Sequence, residues 1–388
     1  MQHGFFRCRD FSRHLFSFFG QRLPQEKNPR NIAVVKGFSI LFSCIIIVLE
    51  GINGQFMLRI CISYERKNMF HKRFLLRFFF SLVLLAVLGI NGAGLYLGNM
   101  IYNEMSIRHS RLHAHHSGRL KQVMEKGKQE KQWQDLSLDS RFGYSLQGTY
   151  IPNPVRTENT LIFLHGFTEN RLVGLNYVNL YLNSGYNLLL VDSRAHGDSG
   201  GDSVTWGVYE KYDLDQWVDW IHNKFPGGSI GVHGISMGAA TALLHAELNE
   251  SNKRVKVYVA DSAYSDLNAL LALQMEQRLQ LPGNISPQLL LPYVNAVAFL
   301  KSQFTFDQAS PLRAVRNVTT PILYIHGEAD KLVPASMSQE LYRATKGPRQ
   351  INTFPRAEHV SSLYNDRYRY RTLVQDFTRS LSQQDSLI

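Results

Sequence analysis

Short apolar runs, recurring at intervals that leave room for a helix, constrain this chain more than any other feature. T-L-I-F-L-H-G (160–166) and N-L-L-L-V-D (187–192) are continuous rather than alternating, as strands buried on both faces must be. S-I-G-V-H-G (229–234), V-K-V-Y-V-A-D (255–261), P-I-L-Y-I-H-G (321–327) and Q-I-N-T-F (350–354) read as further strands. Between them lie helical patterns. Leu214, Trp217, Val218, Ile221 and Phe225 fall at helical spacing and stop at Pro226-Gly227-Gly228. Met237–Leu248 is Ala/Leu-rich, Ser336–Thr345 reads as a helix, and Leu373, Val374, Phe377 and Leu381 line a closing one. The run R-F-G-Y-S-L-Q-G-T-Y-I-P alternates around a glycine and adds an antiparallel hairpin. The fold class predicted is therefore α/β, with a mostly parallel sheet of about eight strands and helices on both faces. A site on such a sheet belongs outside the carboxyl ends of its strands. One interval breaks the rhythm: residues 267–307, with L-L-A-L-Q-M-E-Q-R-L and L-L-L-P-Y-V-N-A-V-A-F-L, read as a helical cap inserted over that site.

Two serines fit the pattern G-x-S-x-G. Ser236, in G-V-H-G-I-S-M-G-A-A, follows a strand and opens a helix, the strand–turn–helix setting of a nucleophile elbow. The turn is so tight that Gly234 and Gly238 must lack side chains. Ser199, in R-A-H-G-D-S-G-G-D-S, sits in a polar loop with no helix behind it. Its G-D-S-G-G resembles trypsin-like proteases, but those are disulfide-bonded β-barrels and this region has no cysteine. The context selects Ser236.

A serine hydroxyl needs a base, and the base needs an orienting carboxylate. On this kind of sheet the chain order is Ser, acid, His. Two histidines follow Ser236 beyond its own helix. His326 ends a buried strand, whereas His359, in F-P-R-A-E-H-V, sits in the loop before the last helix, where a mobile base belongs. Asp330 of H-G-E-A-D-K-L-V-P is the best-placed acid; Glu328, Asp261 and Asp266 compete by loop position alone. The predicted catalytic residues are Ser236, Asp330 and His359. The oxyanion needs two backbone N–H donors, and these fall at Met237 and, after the strand T-L-I-F-L, at Phe167.

Charge is segregated. Residues 1–130 carry 19 Lys+Arg against 7 Asp+Glu (+12), and residues 131–388 carry 23 against 24 (−1). A near-neutral main domain argues against a nucleic-acid surface and places the basic part beside a membrane. From Phe78 to Gly98 there is no charge for 21 residues, about 31 Å as a helix and a match to a hydrocarbon core of about 30 Å. The segment 74–98 is read as a transmembrane signal anchor, and cleavage after Ala93 or Gly94 would make it a signal peptide instead. Arg66, Lys67, Lys72, Arg73 and Arg77 crowd its N-terminal side, so the positive-inside rule puts the large domain outside a bacterial cell membrane. A weaker run, Ile32–Leu49, lies in the basic segment 1–73; if it also spans, the topology flips. Met69 is an alternative start. Residues 99–132, with His109, His113, His115 and His116, read as a solvated linker rather than a metal site. Cys8, Cys44 and Cys61 all precede the main domain, which therefore has no disulfide framework.

In order, H-G-F-T, D-S-R-A-H-G-D-S, G-I-S-M-G, H-G-E-A-D-K-L-V-P and A-E-H resemble the α/β-hydrolase superfamily, and bacterial prolyl-oligopeptidase-like esterases in particular, across roughly Leu136–Leu381. The domain boundaries implied are 133–388. The resemblance implies hydrolysis of an ester-type bond through an acyl-enzyme, on a small-molecule or lipidic ester, with no metal or organic cofactor. A thioesterase, an acyltransferase or a serine peptidase could use the same machinery, and so could a non-catalytic binding protein that keeps only the fold.

Overall fold

The structure, a computed structural model, describes residues 69–106, 117–279 and 286–384. The weaker apolar run, the alternative-start region before Met69 and the four linker histidines lie outside them. Two units divide the chain, Met1–Leu85 and Ala86–Ile388. What is described of the first is the start of a single long helix, α1 (Met69–Ser106).

The second unit is built on one eight-stranded sheet: β1 (Gln134–Asp139), β2 (Ser145–Ile151), β3 (Thr160–Leu164), β4 (Asn187–Val191), β5 (Ile230–Ile235), β6 (Val255–Asp261), β7 (Ile322–Gly327) and β8 (Arg349–Phe354). Their order across the sheet is β1-β2-β4-β3-β5-β6-β7-β8. β1 and β2 form an antiparallel hairpin, β2 joins β4 antiparallel, and every pairing from β4 to β8 is parallel. β3, β4, β5 and β7 are buried at every position, which is why their sequences are apolar without alternation.

Helices cover both faces. On one side α3 (Glu210–Lys224) and α4 (Met237–Asn249) bring Trp217, Ile221 and Leu243 against Ile162, Val232 and Tyr258. On the other, α8 (Arg367–Gln384) and the turns around Tyr177–Leu182 bring Tyr370, Val374, Tyr177 and Tyr181 against Phe163, Leu190 and Leu323. Between β6 and β7 the chain leaves the sheet through α5 (Leu267–Arg278) and α6 (Leu291–Ser302) and returns past Phe306; α7 (Ala335–Ala344) then links β7 to β8.

Residues 99–106 and 117–130, which the charge pattern assigns to a solvated linker, are helical where described. α1 runs on to Ser106, and α2 (Ser117–Glu130) follows. Tyr102, Met105 and Met124 are buried. The polar residues between them set the average of this tract, but its few apolar side chains fall on the faces that pack.

Candidate active site

Ser236 stands between the last residue of β5 and the first of α4, with φ 53° and ψ −118°. A non-glycine residue with such a backbone is strained, at a cost of order 1–3 kcal/mol, and must be held there. Its amide donates to the Asp261 carbonyl (2.8 Å), and its own carbonyl accepts from Ala240 N–H (3.1 Å). The flanking glycines are steric necessities: a Cβ on Gly234 would overlap the Gly238 carbonyl, and one on Gly238 would overlap the Leu164 and His165 carbonyl oxygens.

The other two predicted residues arrive from the ends of neighbouring strands. Asp330 follows β7 and His359 follows β8. His359 Nε2 lies 2.8 Å from Ser236 Oγ, and His359 Nδ1 lies 2.7 Å from Asp330 Oδ2. With Nδ1–H donating to the carboxylate, Nε2 is left to accept the serine proton. The second Asp330 oxygen accepts from the Leu332 and Val333 amides, each at 2.9 Å. Burial on its own would raise this carboxyl, but hydrogen bonds from His326 and His359, the charge of His359 and the Val333 amide outweigh it. The carboxyl is held well below its ordinary range and stays ionised beside the imidazole.

The competitors are accounted for. His326 is fully buried, with Nδ1 2.6 Å from Ser338 Oγ and Nε2 2.8 Å from the Val333 carbonyl. Glu328 accepts from the Thr353 hydroxyl (2.6 Å), Asp266 caps α5, and Asp261 accepts from Tyr370 (2.8 Å) and Ser262 (2.9 Å). Ser199 is fully buried; its hydroxyl donates to the Asp192 carbonyl and accepts from the Gln147 amide.

Beside Ser236 lies the H-G-F-T loop, where a Cβ on Gly166 would sit 3.3 Å from Ser236 Cβ. Two histidines fix this loop. His165 Nδ1–H donates to the Gly166 carbonyl (2.7 Å), and its Nε2 accepts from Ser193 N–H (3.0 Å). Burial, with His196 nearby, lowers its pKa to about 3. His196 Nε2 accepts from Thr168 N–H (3.3 Å), while its Nδ1–H donates to the Arg194 carbonyl (2.9 Å). Phe167 lies between the two and packs its ring on Trp206, centroids 4.9 Å apart. In the sequence these histidines are only letters of H-G-F-T and D-S-R-A-H-G-D-S. The signal that could have found their role was their place at strand ends facing one another, which requires knowing the strand order.

Among the described residues no group of three or more His, Cys, Asp or Glu could hold a metal ion. A serine, a histidine that can take its proton and an ionised carboxylate behind it, all at the carboxyl edge of a parallel sheet, can activate a hydroxyl for attack on a carbonyl carbon.

That combination of sheet and elbow defines the α/β hydrolases. The family model described as alpha/beta hydrolase fold matches residues 159–286. YqkD of Bacillus subtilis (strain 168) is 35% identical over 246 residues, which are 63% of this chain and 79% of YqkD. The chain belongs to the α/β-hydrolase superfamily. The lysophosphatidylserine lipase ABHD12 of Macaca fascicularis is 24% identical over 202 residues, covering 50% of this chain and 47% of that enzyme. Among solved structures, the Pyrococcus furiosus esterase Pf2001 matches 66% of this chain and 95% of its own, at 27% identity and a TM-score of 0.53.

Proposed function

We propose that this chain is a membrane-anchored serine hydrolase that cleaves carboxylic ester bonds, with Ser236 as nucleophile, His359 as base and Asp330 as its orienting carboxylate. The observation that carries the reading is the unbroken line Ser236 Oγ to His359 to Asp330, at 2.8 Å and 2.7 Å. His359 takes the Ser236 proton as Oγ attacks the ester carbonyl, and Asp330 stabilises the imidazolium. The amides of Phe167 and Met237 receive the developing oxyanion. The tetrahedral intermediate expels the alcohol, protonated by His359. Water, deprotonated by the same imidazole, then attacks the acyl-enzyme and releases the acid.

The esterase and lipase names among the relatives favour an ester over a peptide bond. Residues 74–106 of α1 make one helix long and apolar enough to cross a membrane, with Phe74, Leu85, Leu88 and Ile90 each more than half exposed. The basic flank before it puts the hydrolase domain on the extracytoplasmic side. Residues 267–307 are the proposed cap and α1 the proposed anchor, whose end from Ala86 on belongs to the same unit as the hydrolase sheet.

The test is a fluorophosphonate probe and a p-nitrophenyl ester series, applied to the detergent-solubilised full chain beside Ser236→Ala. Labelling and turnover should both vanish in the variant, by a factor of about 10³ or more. Turnover surviving in Ser236→Ala overturns the assignment. Labelling without turnover of any ester moves the substrate to thioesters, acyl acceptors or peptides.

A further inference from the structure

From Ala86 on, while still within its uncharged run, α1 belongs to the second unit. Gly94 and Gly98 lie one turn apart in the last five residues of that run, and both are covered by α6. A Cβ on Gly94 would stand 2.6 Å from the Tyr293 ring, and one on Gly98 would stand 2.9 Å from the Tyr293 backbone. Gly89 and Gly92, on the same helix, have nothing within 4 Å. The small-xxx-small face G-L-Y-L-G would ordinarily read as a site where two membrane helices pair. Here Tyr293 already occupies it, and its hydroxyl donates to Asn91 Oδ1 (3.2 Å).

The contact continues toward the site. Tyr102 of α1 is hydrogen-bonded to Ser302 of α6, whose Oγ is 2.7 Å from Ser203 Oγ. Lys301 donates to Asn103 Oδ1 (3.1 Å), and the Val204 amide donates to the Ser106 carbonyl (2.9 Å). The 203–206 loop reached in this way carries Trp206, which packs on Phe167. Tyr102 and Met105 share one buried apolar cluster with Trp206, Val294 and Met237, and Phe167 packs against it. Before and within α6, Leu289 and Leu300 are 65% and 62% exposed.

We propose that α1 and α6 form one substrate-presenting unit, in which the Gly94/Gly98 face seats the cap in the outer leaflet and the end of α1 walls the acyl site. The acyl chain of a membrane lipid then passes from the leaflet along the α1–α6 seam to Ser236, without crossing water. This rests on the serine esterase reading above and adds its substrate class: long-chain esters resident in the bilayer.

The experiment uses the full chain in phosphatidylcholine vesicles, comparing Gly98→Leu with Gly89→Leu on p-nitrophenyl acetate and p-nitrophenyl palmitate. Gly98→Leu should lose at least tenfold in kcat/KM on palmitate, stay within about threefold on acetate and keep fluorophosphonate labelling; Gly89→Leu should match wild type throughout. Equal behaviour of the two variants overturns the proposal. A Gly98→Cys/Tyr293→Cys pair, with Cys8, Cys44 and Cys61 changed to Ser, reads the contact without any chemistry. The ideal Cβ at Gly98 lies 3.0 Å from Tyr293 Cβ, near enough for a disulfide after a small shift. That disulfide should form, and the locked enzyme should keep its activity on palmitate; failure on either count overturns the proposal. If wild type hydrolyses no ester, the esterase reading falls. Short- and long-chain alkyl fluorophosphonates then read the seam, since Gly98→Leu should slow only the long one.

Discussion

Val360, the residue after His359, is β-branched and holds φ at 55°, which costs of order 1–3 kcal/mol. Its amide donates to Ser262 Oγ (3.2 Å), and that hydroxyl donates to Asp261 Oδ1 (2.9 Å). The Asp261 carbonyl meanwhile receives the Ser236 amide. Asp261 and Ser262, at the end of β6, thus tie down the backbones of the proposed nucleophile and of the residue after the proposed base. Ser262→Ala should lower kcat about tenfold with KM and fluorophosphonate stoichiometry preserved, whereas a change within twofold would remove its positioning role. Asp330→Asn acts differently: it takes away the carboxylate that selects the imidazole tautomer, and kcat should fall by roughly 10⁴. Ser236, Asp330 and His359 were legible in the sequence because each carries a local mark. The elbow needs its two glycines, and the chain order leaves few acids and bases after it. Ser262 and Val360 carry no such mark; their role comes from backbone angles that no residue type announces.

At the scale of elements the parallel strands were legible because burial on both faces leaves only apolar letters. The hairpin was legible as a turn but not in its extent. β1 starts at Gln134, where D-L-S-L exposes one face and its signal is weak. What ties the turn of the hairpin to α3 is polar. Asp213 of α3 is buried and accepts from the Ser140 hydroxyl and from Tyr144 (2.6 Å). Burial raises its carboxyl to about 6, against the pull of these two donors. A carboxyl whose folded pKa exceeds its unfolded value binds more protons when folded, so its contribution to stability is fullest below about pH 4 and is lost as pH rises through about 6. Asp213→Asn should therefore flatten the fall in melting temperature between pH 4 and 7. A slope equal to wild type would show that Asp213 does not titrate in this window. The continuation of α1 beyond residue 98 and the presence of α2 are hidden in the sequence for a related reason. The tract 99–132 is basic on average, and an average hides the three side chains that pack.

For the whole molecule, the superfamily was legible from five motifs in order, and it is the superfamily, rather than a narrower esterase group, that the matched relatives carry. The charge segregation suggests a main domain that could be cut free near residue 131, but the packing argues against it. Tyr102 and Met105 are 2% and 7% exposed in the cluster beside Met237; Met124 is 3% exposed against the face of the sheet that holds Tyr177. Trp133 closes over Gly127 of α2, where no side chain could fit, and Lys128 pairs with Asp135 at 2.6 Å. Removing residues up to 130 strips the three side chains, at about 1.5–3 kcal/mol each by burial, and uncovers their partners. The sum, roughly 4.5–9 kcal/mol as an upper estimate, rivals the entire stability of a domain, about 5–15 kcal/mol. A chain beginning at residue 86 should therefore unfold in detergent as one cooperative unit, and one beginning at residue 131 should melt at least about 10 °C lower or fail to fold. Equal melting temperatures, within about 3 °C, would mean that α1 and α2 only tether the hydrolase. A large gap means that the helix proposed to enter the membrane is also the first element of the catalytic domain's core.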